Sequence, residues 1–490
     1  MATKTLTPDD RQFFSLVSEA AFANPFSEQR VELDRKISGS SASATWRDIV
    51  PEAVREVTKR IEKLDAEKSV KIQDFKQADR ELIEHVFLFY VFHQFVKQFD
   101  QLIIDQIAVD EKSIPVPFAK EALSLLTKRG FGRALANRYF SLFYQIRRAF
   151  HFIGRGLIGQ CISMRQLRMN LWNNIFTHDI RYYERYLWDK MEDFSTLLLG
   201  PTGCGKGAAA AAIGRSGFIP FDEKKQTFAE SFTKTFIPVN LSQFPETLLE
   251  SELFGHTKGA FTGAVDSHDG LFALCGTHGS IFLDEIGDIS IQVQIKLLQI
   301  LEERIFSPVG SHKKHHFHGR VIAATNKSLD QLRRKGKFRD DFYYRLCSDC
   351  IMVPGLQQRI QENPSELDDL IACTVERITG HKAEDLIRTV KEVINKNFGK
   401  DYRWPGNVRE LAQCIRRVAI KRDYAGDTTI ASQDFKTKLF TEINSGKLSA
   451  QDLLAAYCTI LYQRYGTYEQ VARVTQLDRR TVKKHIECFK

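Results

Sequence analysis

The sequence predicts an α/β protein: a parallel sheet carrying a phosphate-binding loop, with helical segments before and after it. Three observations predict this. Residues 195–355 alternate short apolar strands with helical stretches, the pattern of a parallel sheet covered on both faces. The first strand, Leu197–Leu199, runs into Gly200-x-x-x-x-Gly205-Lys206 and then an alanine-rich helix, GAAAAAAIG. The C-terminal end reads helix, turn, helix over Thr467–Glu487.

At 490 residues the chain is too long for one ordinary core, so roughly two to four domains are expected. A hydrophobic content of 43% with 27% charged residues is that of a globular protein. The net charge of +9 leans towards a polyanionic partner, although a merely basic soluble protein fits the charge equally well. The N-terminal MATKTLTPDD has no basic stretch followed by an apolar one, so no secretory signal is expected. The most apolar stretch, His85–Phe99, is short for a membrane span and carries His, Gln and Lys. It reads as a core helix, and no membrane partner is expected. Nine scattered cysteines, an odd number, fit a reducing cytoplasm. The lone Cys347-Ser-Asp-Cys350 pair is a weak signal for zinc or redox chemistry. His312, His315, His316 and His318 lie in a lysine-rich stretch that reads as a solvated hairpin tip rather than a metal site.

Residues 1–153 read as a helical domain. Leu82, Val86 and Phe89 form an apolar face with the run around Phe92 and Phe95, and the aromatics of Phe131–Phe150 recur at helical spacing, which is a core pattern. Gly154, Gly156 and Gly159 break that pattern and suggest a boundary. The expected organisation continues with an α/β core over 154–356, a helical lid over 357–425, a linker over 426–446 that includes part of the polar Tyr424–Ser432, and a helix-turn-helix unit over 447–490.

The loop Gly200, Pro201, Thr202, Gly203, Cys204, Gly205, Lys206, Gly207 has the context a nucleotide phosphate cradle requires. Glycines let backbone N–H groups turn inward, the helix N-terminus adds positive potential, and Lys206 reaches the β and γ oxygens of ATP. Gly207 stands where a hydroxyl for Mg²⁺ is usual. The strand SIFLDE ends in two acids: Asp284 to hold Mg²⁺ directly or through water, and Glu285 to polarise the attacking water. A third strand, VIAAT, ends at Asn326, a polar tip that could sense the γ-phosphate. Three strand-end motifs in this order point to a P-loop ATPase of the AAA+ kind.

Further motifs extend the pattern: ESELFGHTKGAFTGA at 250–264, GSIFLDEIGDIS at 279–290, RVIAATN at 320–326, FRDDFYYRL at 338–346 and RWPGNVREL at 403–411. Over residues 155–425 the chain resembles the central domain of bacterial sigma-54-dependent transcriptional activators. The resemblance implies that Gly259, Ala260, Phe261, Thr262, Gly263 and Ala264 tip a loop that moves with nucleotide state and presses on sigma-54. Phe261 is then exposed because its partner is another protein, with Thr262 sharing the contact. It also implies that Arg339 and Arg345, whose six-residue spacing suggests neighbouring turns facing one way, reach the γ-phosphate of the next subunit. That makes a ring, expected to be a hexamer. Arg409 matches a lid arginine on the nucleotide of its own subunit. Asn240 matches a residue thought to restrain the catalytic glutamate. The family's phosphate loops resemble GESGTGKE; here Pro201, Cys204 and Gly207 depart, and Phe176–Phe194 is longer and more aromatic than its counterpart. Family members usually begin with a receiver, GAF or PAS sensor, and residues 1–150 carry no strand-end acidic cluster of the receiver kind. A regulatory role and a purely structural one both fit them.

In TYEQVARVTQLDRRTVKKHIE, Val471 and Ala472 read as inward, with a turn at Leu477-Asp478, while Val482 and Ile486 anchor a second helix. Arg479, Arg480, Lys483 and Lys484 would face double-stranded DNA. This resembles the Fis-type unit that ends many such activators, with Leu453–Tyr465 as a dimer-forming helix, so that paired units on a two-fold axis would read a palindromic upstream site. The function expected is ATP-driven activation of sigma-54 RNA polymerase. An alternative is a DNA-binding regulator whose ATPase only switches oligomeric state, against which the intact GAFTGA argues. A third is an AAA+ remodeller of other substrates, against which the terminal helix-turn-helix argues.

Overall fold

Five short apolar runs, each ended by a glycine or a polar residue, become the strands of one parallel sheet in the computed structural model. It describes residues 4–41, 44, 46–66, 69–398, 402–426, 439, 443 and 449–488. The strands are β1 (Thr196–Leu199), β2 (Phe236–Asn240), β3 (Ser280–Asp284), β4 (Arg320–Thr325) and β5 (Asp349–Met352). Their spatial order is β5-β1-β4-β3-β2, every neighbouring pair parallel. The central β4 is buried along its whole length, as a strand covered on both faces must be. Leu199 pairs with Thr325, Ala324 with Asp284, and Asp284 with Asn240, so the C-terminal ends align and the loops after them leave from one edge.

Among the described residues, eight helices of ten residues or more precede the sheet: α1 (Pro8–Phe22), α2 (Glu28–Ser38), α3 (Trp46–Leu64), α4 (Gln77–Gln94), α5 (Val96–Val109), α6 (Ala119–Lys128), α7 (Arg133–Gly154) and α8 (Ile162–Phe176). The helical reading of this region holds, with one correction. His85–Phe99 is not one helix: α4 stops at Gln94, and Phe95, at φ −111° and ψ 7°, separates it from α5.

The expected boundary at residue 154 does not separate two cores. The glycines do end α7, but its aromatic stripe packs both on the N-terminal helices and on residues beyond the boundary. Phe140 meets Phe99 and Phe118, while Tyr144 stacks on Phe228 with ring centroids 3.9 Å apart. A single apolar cluster therefore runs from Leu6 through α7 and α8 to Phe236, Phe282 and Val353. Buried polar groups tie the same join. Arg148 donates to Arg215 O and Gly217 O, both at 2.7 Å, and Gln145 Nε2 donates to Ser216 O at 3.0 Å. After α8, a buried Arg359–Glu366 pair (2.8 Å) holds the turn before it: Glu366 accepts from Cys161 N at 2.8 Å, and Arg359 donates to Ile158 O at 2.7 Å.

The compact units accordingly follow boundaries other than those expected. One comprises Met1–Ala383 with Gly406–Ala412, and the other Glu384–Pro405 with Gln413–Lys490. The expected 357–425 lid is divided between them: helices Leu356–Glu362 and Ser365–Thr379 belong to the first unit, and Glu384–Asn397 to the second. In the second unit Phe398, Tyr402, Trp404 and Tyr424 make an aromatic cluster. There too, helices Ala450–Tyr465, Tyr468–Thr475 and Arg479–Cys488 close around Cys458, Leu461, Val471, Val482 and Ile486. Of the expected 426–446 linker, only Gly426, Leu439 and Ile443 are described; the rest, with Asp427–Ser432 of the polar stretch, lies outside the described residues. Among the described residues no helix is long and apolar enough to cross a membrane.

Candidate nucleotide, partner and DNA sites

The phosphate loop joins β1 to helix α9 (Lys206–Gly214). Gly203 (φ 75°) and Gly205 (φ 113°) occupy the left-handed region that favours glycine. At Gly203 space forbids a side chain as well, since a Cβ would lie 2.3 Å from Gly406 O. At Gly205 and Gly207 a Cβ would meet nothing within 4 Å, which leaves that side of the loop open to a phosphate chain. The buried Lys206 ammonium donates to Gly200 O (3.0 Å) and Pro201 O (3.2 Å), folded onto the loop it would clamp. Asn407 braces the loop from outside: its Nδ2 donates to Thr202 O at 2.9 Å and its Oδ1 accepts from Leu356 N at 2.7 Å. Sequence reasoning passed over Asn407, although it stands in the quoted RWPGNVREL. Arg409 is exposed, and a Cβ placed on Gly203 would come within 2.9 Å of Arg409 Cβ, so the stem of this arginine flanks the loop. Cys204 is buried, and burial pushes its thiol up, so the side chain packs under the loop as a neutral group.

The acids stand at the end of β3. Asp284 Oδ1 accepts from Glu285 N at 3.0 Å. Glu285 has φ 59° and ψ 45°, a left-handed conformation that costs a non-glycine residue about 1–3 kcal/mol. Its Oε2 is buried without a hydrogen-bond partner. Strain and an orphaned acceptor on one residue mark a group shaped for a ligand rather than for packing. Two half-buried carboxylates here also fit an oxygen-ligated divalent cation, with Asp284 as its holder. One strand over, Asn326 Nδ2 donates to Thr202 Oγ1 at 2.5 Å. Asn240 is the register partner of Asp284, but its Oδ1 accepts from Ser242 N at 3.0 Å. The expected restraint on Glu285 is not made through Oε2.

The two arginines of FRDDFYYRL do not face one way. Arg339 precedes its helix in an extended conformation (φ −74°, ψ 142°), so the six-residue spacing is not a helical one. Its guanidinium pairs with Asp341 at 2.6 Å, whereas Arg345 Nε donates to Leu301 O at 2.8 Å.

The GAFTGA segment lies between the two strands of a small antiparallel pair, Gly255–His256 and His268–Asp269. Gly259 (φ 80°) and Gly263 (φ 102°) turn the chain, and Gly259 N donates to Ala264 O at 2.8 Å. The loop base is tied to a second hairpin: Thr257 N donates to Val309 O at 3.0 Å, and Val309 N to Gly255 O at 2.8 Å. Phe261 is 36% exposed, its ring edge-on to His256 at 5.0 Å, and Thr262 is exposed. Ala264 corrects the expected contact set: at 7% exposure it faces inward and closes the turn. Val265, which the motif does not include, is 71% exposed. An apolar β-branched residue directly after a glycine-hinged tip was the signal for it.

In the C-terminal unit Asp478 Oδ1 accepts from Arg480 N at 2.8 Å, capping the second helix. Val471 is buried and Ala472 partly so, as expected. The four basic residues are exposed but differ in setting: Arg479 pairs with Glu469 at 2.9 Å and Lys483 with Glu487 at 3.7 Å, both within the unit.

Residues 181–351 match the model of the sigma-54 interaction domain, and residues 369–452 that of the AAA+ ATPase lid domain. A protein of Pseudomonas sp. (strain NS671), described as an uncharacterized protein in the HyuA 5' region, is 36% identical over 262 residues, covering 53% of this chain and 82% of that one. The chain belongs to the sigma-54 interaction domain family. Its sigma-54 interaction domain spans every strand of the sheet up to Ile351, and the eight N-terminal helices precede both matches. Two more relatives are a Nif-specific regulatory protein of Azotobacter vinelandii (40% identical over 46% of this chain and 40% of the relative) and the transcriptional regulatory protein GlrR of Escherichia coli K12 (37%, over 49% of each). The chain spans about half the length of these curated relatives or less. The structure of NtrX from Brucella abortus in complex with ATP aligns over 76% of this chain and 80% of its own at 19% identity and a TM-score of 0.41, too distant to carry an argument.

Proposed function

We propose that this protein is an ATP-hydrolysing transcriptional regulator that binds upstream DNA and remodels sigma-54 RNA polymerase holoenzyme to open promoters, acting in the cytoplasm. The observation that carries the proposal is Phe261: an aromatic held out at a glycine-hinged tip, on the domain whose strand ends carry Lys206, Asp284 and Glu285.

In this reading Lys206 exchanges its two carbonyl partners for phosphate oxygens, and the open side of Gly205 and Gly207 admits the chain of phosphates. Glu285 orients the attacking water through the oxygen that lacks a partner. Mg²⁺, held by Asp284, would neutralise charge on the β- and γ-phosphates. Asn326 registers the terminal phosphate and passes its loss to Thr202. Arg339 and Arg345 act on the nucleotide of the neighbouring subunit in a ring, exchanging Asp341 and Leu301 O for phosphate oxygens. Arg409 contacts the nucleotide of its own subunit. Phe261 and Thr262 meet sigma-54, with Val265 added to that surface. Arg479, Arg480, Lys483 and Lys484 meet DNA, and the half-exposed Leu453 and Tyr457 on helix Ala450–Tyr465 support pairing of two such units. Residues 1–153 are a regulatory helical layer.

The test uses the full chain, because residues 1–153 share a core with the sheet. Promoter opening on a sigma-54 promoter with an upstream site is expected with ATP and absent with a non-hydrolysable analogue. Normal ATP hydrolysis without opening would refute the polymerase reading.

A further inference from the structure

The layer of N-terminal helices holds a partly open cavity of about 320 Å³, more than twice the roughly 150 Å³ that suffices for benzene in an apolar site. Its wall is aromatic: Phe22, Phe89, Phe92, Phe143, Phe150 and Trp172, contributed by α1, α4, α7 and α8. Phe22, Phe92 and Phe150 pack against the apolar core and are only partly buried, as side chains facing a partly open cavity are. Packing alone does not explain this, since helices with so many large side chains ordinarily close such a gap.

The charges on the wall do not balance. It holds three guanidinium groups, Arg30, Arg147 and Arg155, and one carboxylate, Asp34. Arg30 Nε is 2.9 Å from both oxygens of Asp34. Arg147 is answered from behind the wall by Asp100, with Nε and Nη2 3.0 and 2.5 Å from one oxygen. Arg155 reaches the other oxygen of Asp100 only at 3.9 Å and keeps 60% of its side chain exposed. His93 adds no charge, because burial pulls its pKa down to about 3 while its Nδ1 bonds Phe89 O at 2.8 Å. Burial raises the Asp34 carboxyl against the pull of Arg30, and a proton there would only enlarge the cationic surplus.

One helix, α7, links the cavity to the far end of the phosphate-loop helix. Ile146, Arg147 and Phe150 of α7 line it, and Gln145 and Arg148 of the same turns hold the carbonyls of residues 215–217 at the end of α9, the phosphate-loop helix.

We propose that this cavity binds a small two-ring aromatic monocarboxylate, its rings among the phenylalanines and its carboxylate on Arg155, and that occupancy changes nucleotide affinity through α7. The coupling, though not the binding, rests on the proposed ATP site.

The probes are 2-naphthoate and its neutral isostere naphthalene-2-carboxamide, titrated calorimetrically into the full chain. One naphthoate per chain is expected. Arg155→Gln should weaken naphthoate about tenfold or more and leave the carboxamide within about twofold, since only the charged contact is lost. Ala21→Phe, which fills the cavity from α1, should abolish both, with thermal melting as the check on folding. Val50→Phe fills it from α3 should the first variant not fold. Saturating naphthoate should shift the affinity of a fluorescent ATP analogue about fivefold or more. Absence of naphthoate binding at millimolar concentration, or equal binding by the filled variants, overturns the site. Equal loss of both probes in Arg155→Gln overturns the anion assignment. Naphthoate binding with unchanged affinity for the ATP analogue overturns the coupling. Failure of the analogue to bind at all, with naphthoate still bound, removes the ATP reading and the coupling with it, and leaves the site standing.

Discussion

Asn326 at the tip of β4 donates its side-chain amide to the hydroxyl of Thr202 in the phosphate loop at 2.5 Å. The bond crosses from one strand end to the next, at the place where a terminal phosphate would come between them. Asn326→Ala should therefore leave nucleotide affinity within a few-fold and lower turnover by about 10²-fold, the usual cost of one positioned donor. Steady-state ATP hydrolysis beside equilibrium binding of an ATP analogue separates the two effects. Loss of binding equal to the loss of turnover would make Asn326 a simple binding residue.

Glu285 combines a strained backbone with a buried oxygen that has no partner. Glu285→Gln keeps the shape of the side chain and the phosphate cradle, so ATP should still bind while turnover is abolished. Lys206→Ala, which removes the ammonium from the loop, should weaken binding itself. Normal hydrolysis in Glu285→Gln would overturn its assignment as the group that orients water.

Arg345→Ala should lose on the order of 10³-fold in turnover if the guanidinium acts on the neighbouring subunit. Mixing it with Glu285→Gln protein should restore part of the activity, because an interface can then combine an intact arginine with an intact glutamate. The bond from Arg345 to Leu301 O is made within one subunit, so a purely structural arginine would show lower thermal stability and no rescue on mixing. A full rate from monomeric protein at high dilution would also contradict action between subunits.

For DNA, Lys484→Ala should weaken binding and lower the salt slope by about one, as expected for one lost phosphate contact. Arg479 is held by Glu469, so Glu469→Gln should strengthen binding by releasing it. Fluorescence anisotropy across a salt series reads both. Isotherms unchanged by either substitution would place the DNA surface elsewhere.

The strands and the phosphate loop were legible because the signal there is local: a short apolar run, then glycine or acid, then a helix. The join between the N-terminal helices and the sheet was not. The aromatic stripe of α7 announces burial without saying against what, and Tyr144 turns out to stack on Phe228, far along the chain. Nothing in the spacing singles out Arg148, which is wholly buried with its guanidinium on two carbonyls. The residues proposed for the ATP site were singled out by their motifs, but their present partners were not. The tether of Arg345 to Leu301 and the strain at Glu285 depend on chain geometry that no spacing encodes. In the partner loop the motif marked Phe261 and Thr262 but also included the inward Ala264 and excluded the outward Val265.

The central claim is that the exposed tip at Phe261 and Thr262 is where ATP hydrolysis becomes work on sigma-54. The most direct measurement is capture of sigma-54 by the full chain in the presence of a transition-state mimic of ATP hydrolysis, with promoter opening and ATP turnover followed in parallel. The account predicts that the wild-type protein is trapped with sigma-54, and that Phe261→Ala and Thr262→Ala hydrolyse ATP at close to the normal rate but neither form that complex nor open the promoter. Normal trapping and normal opening by both variants would contradict it.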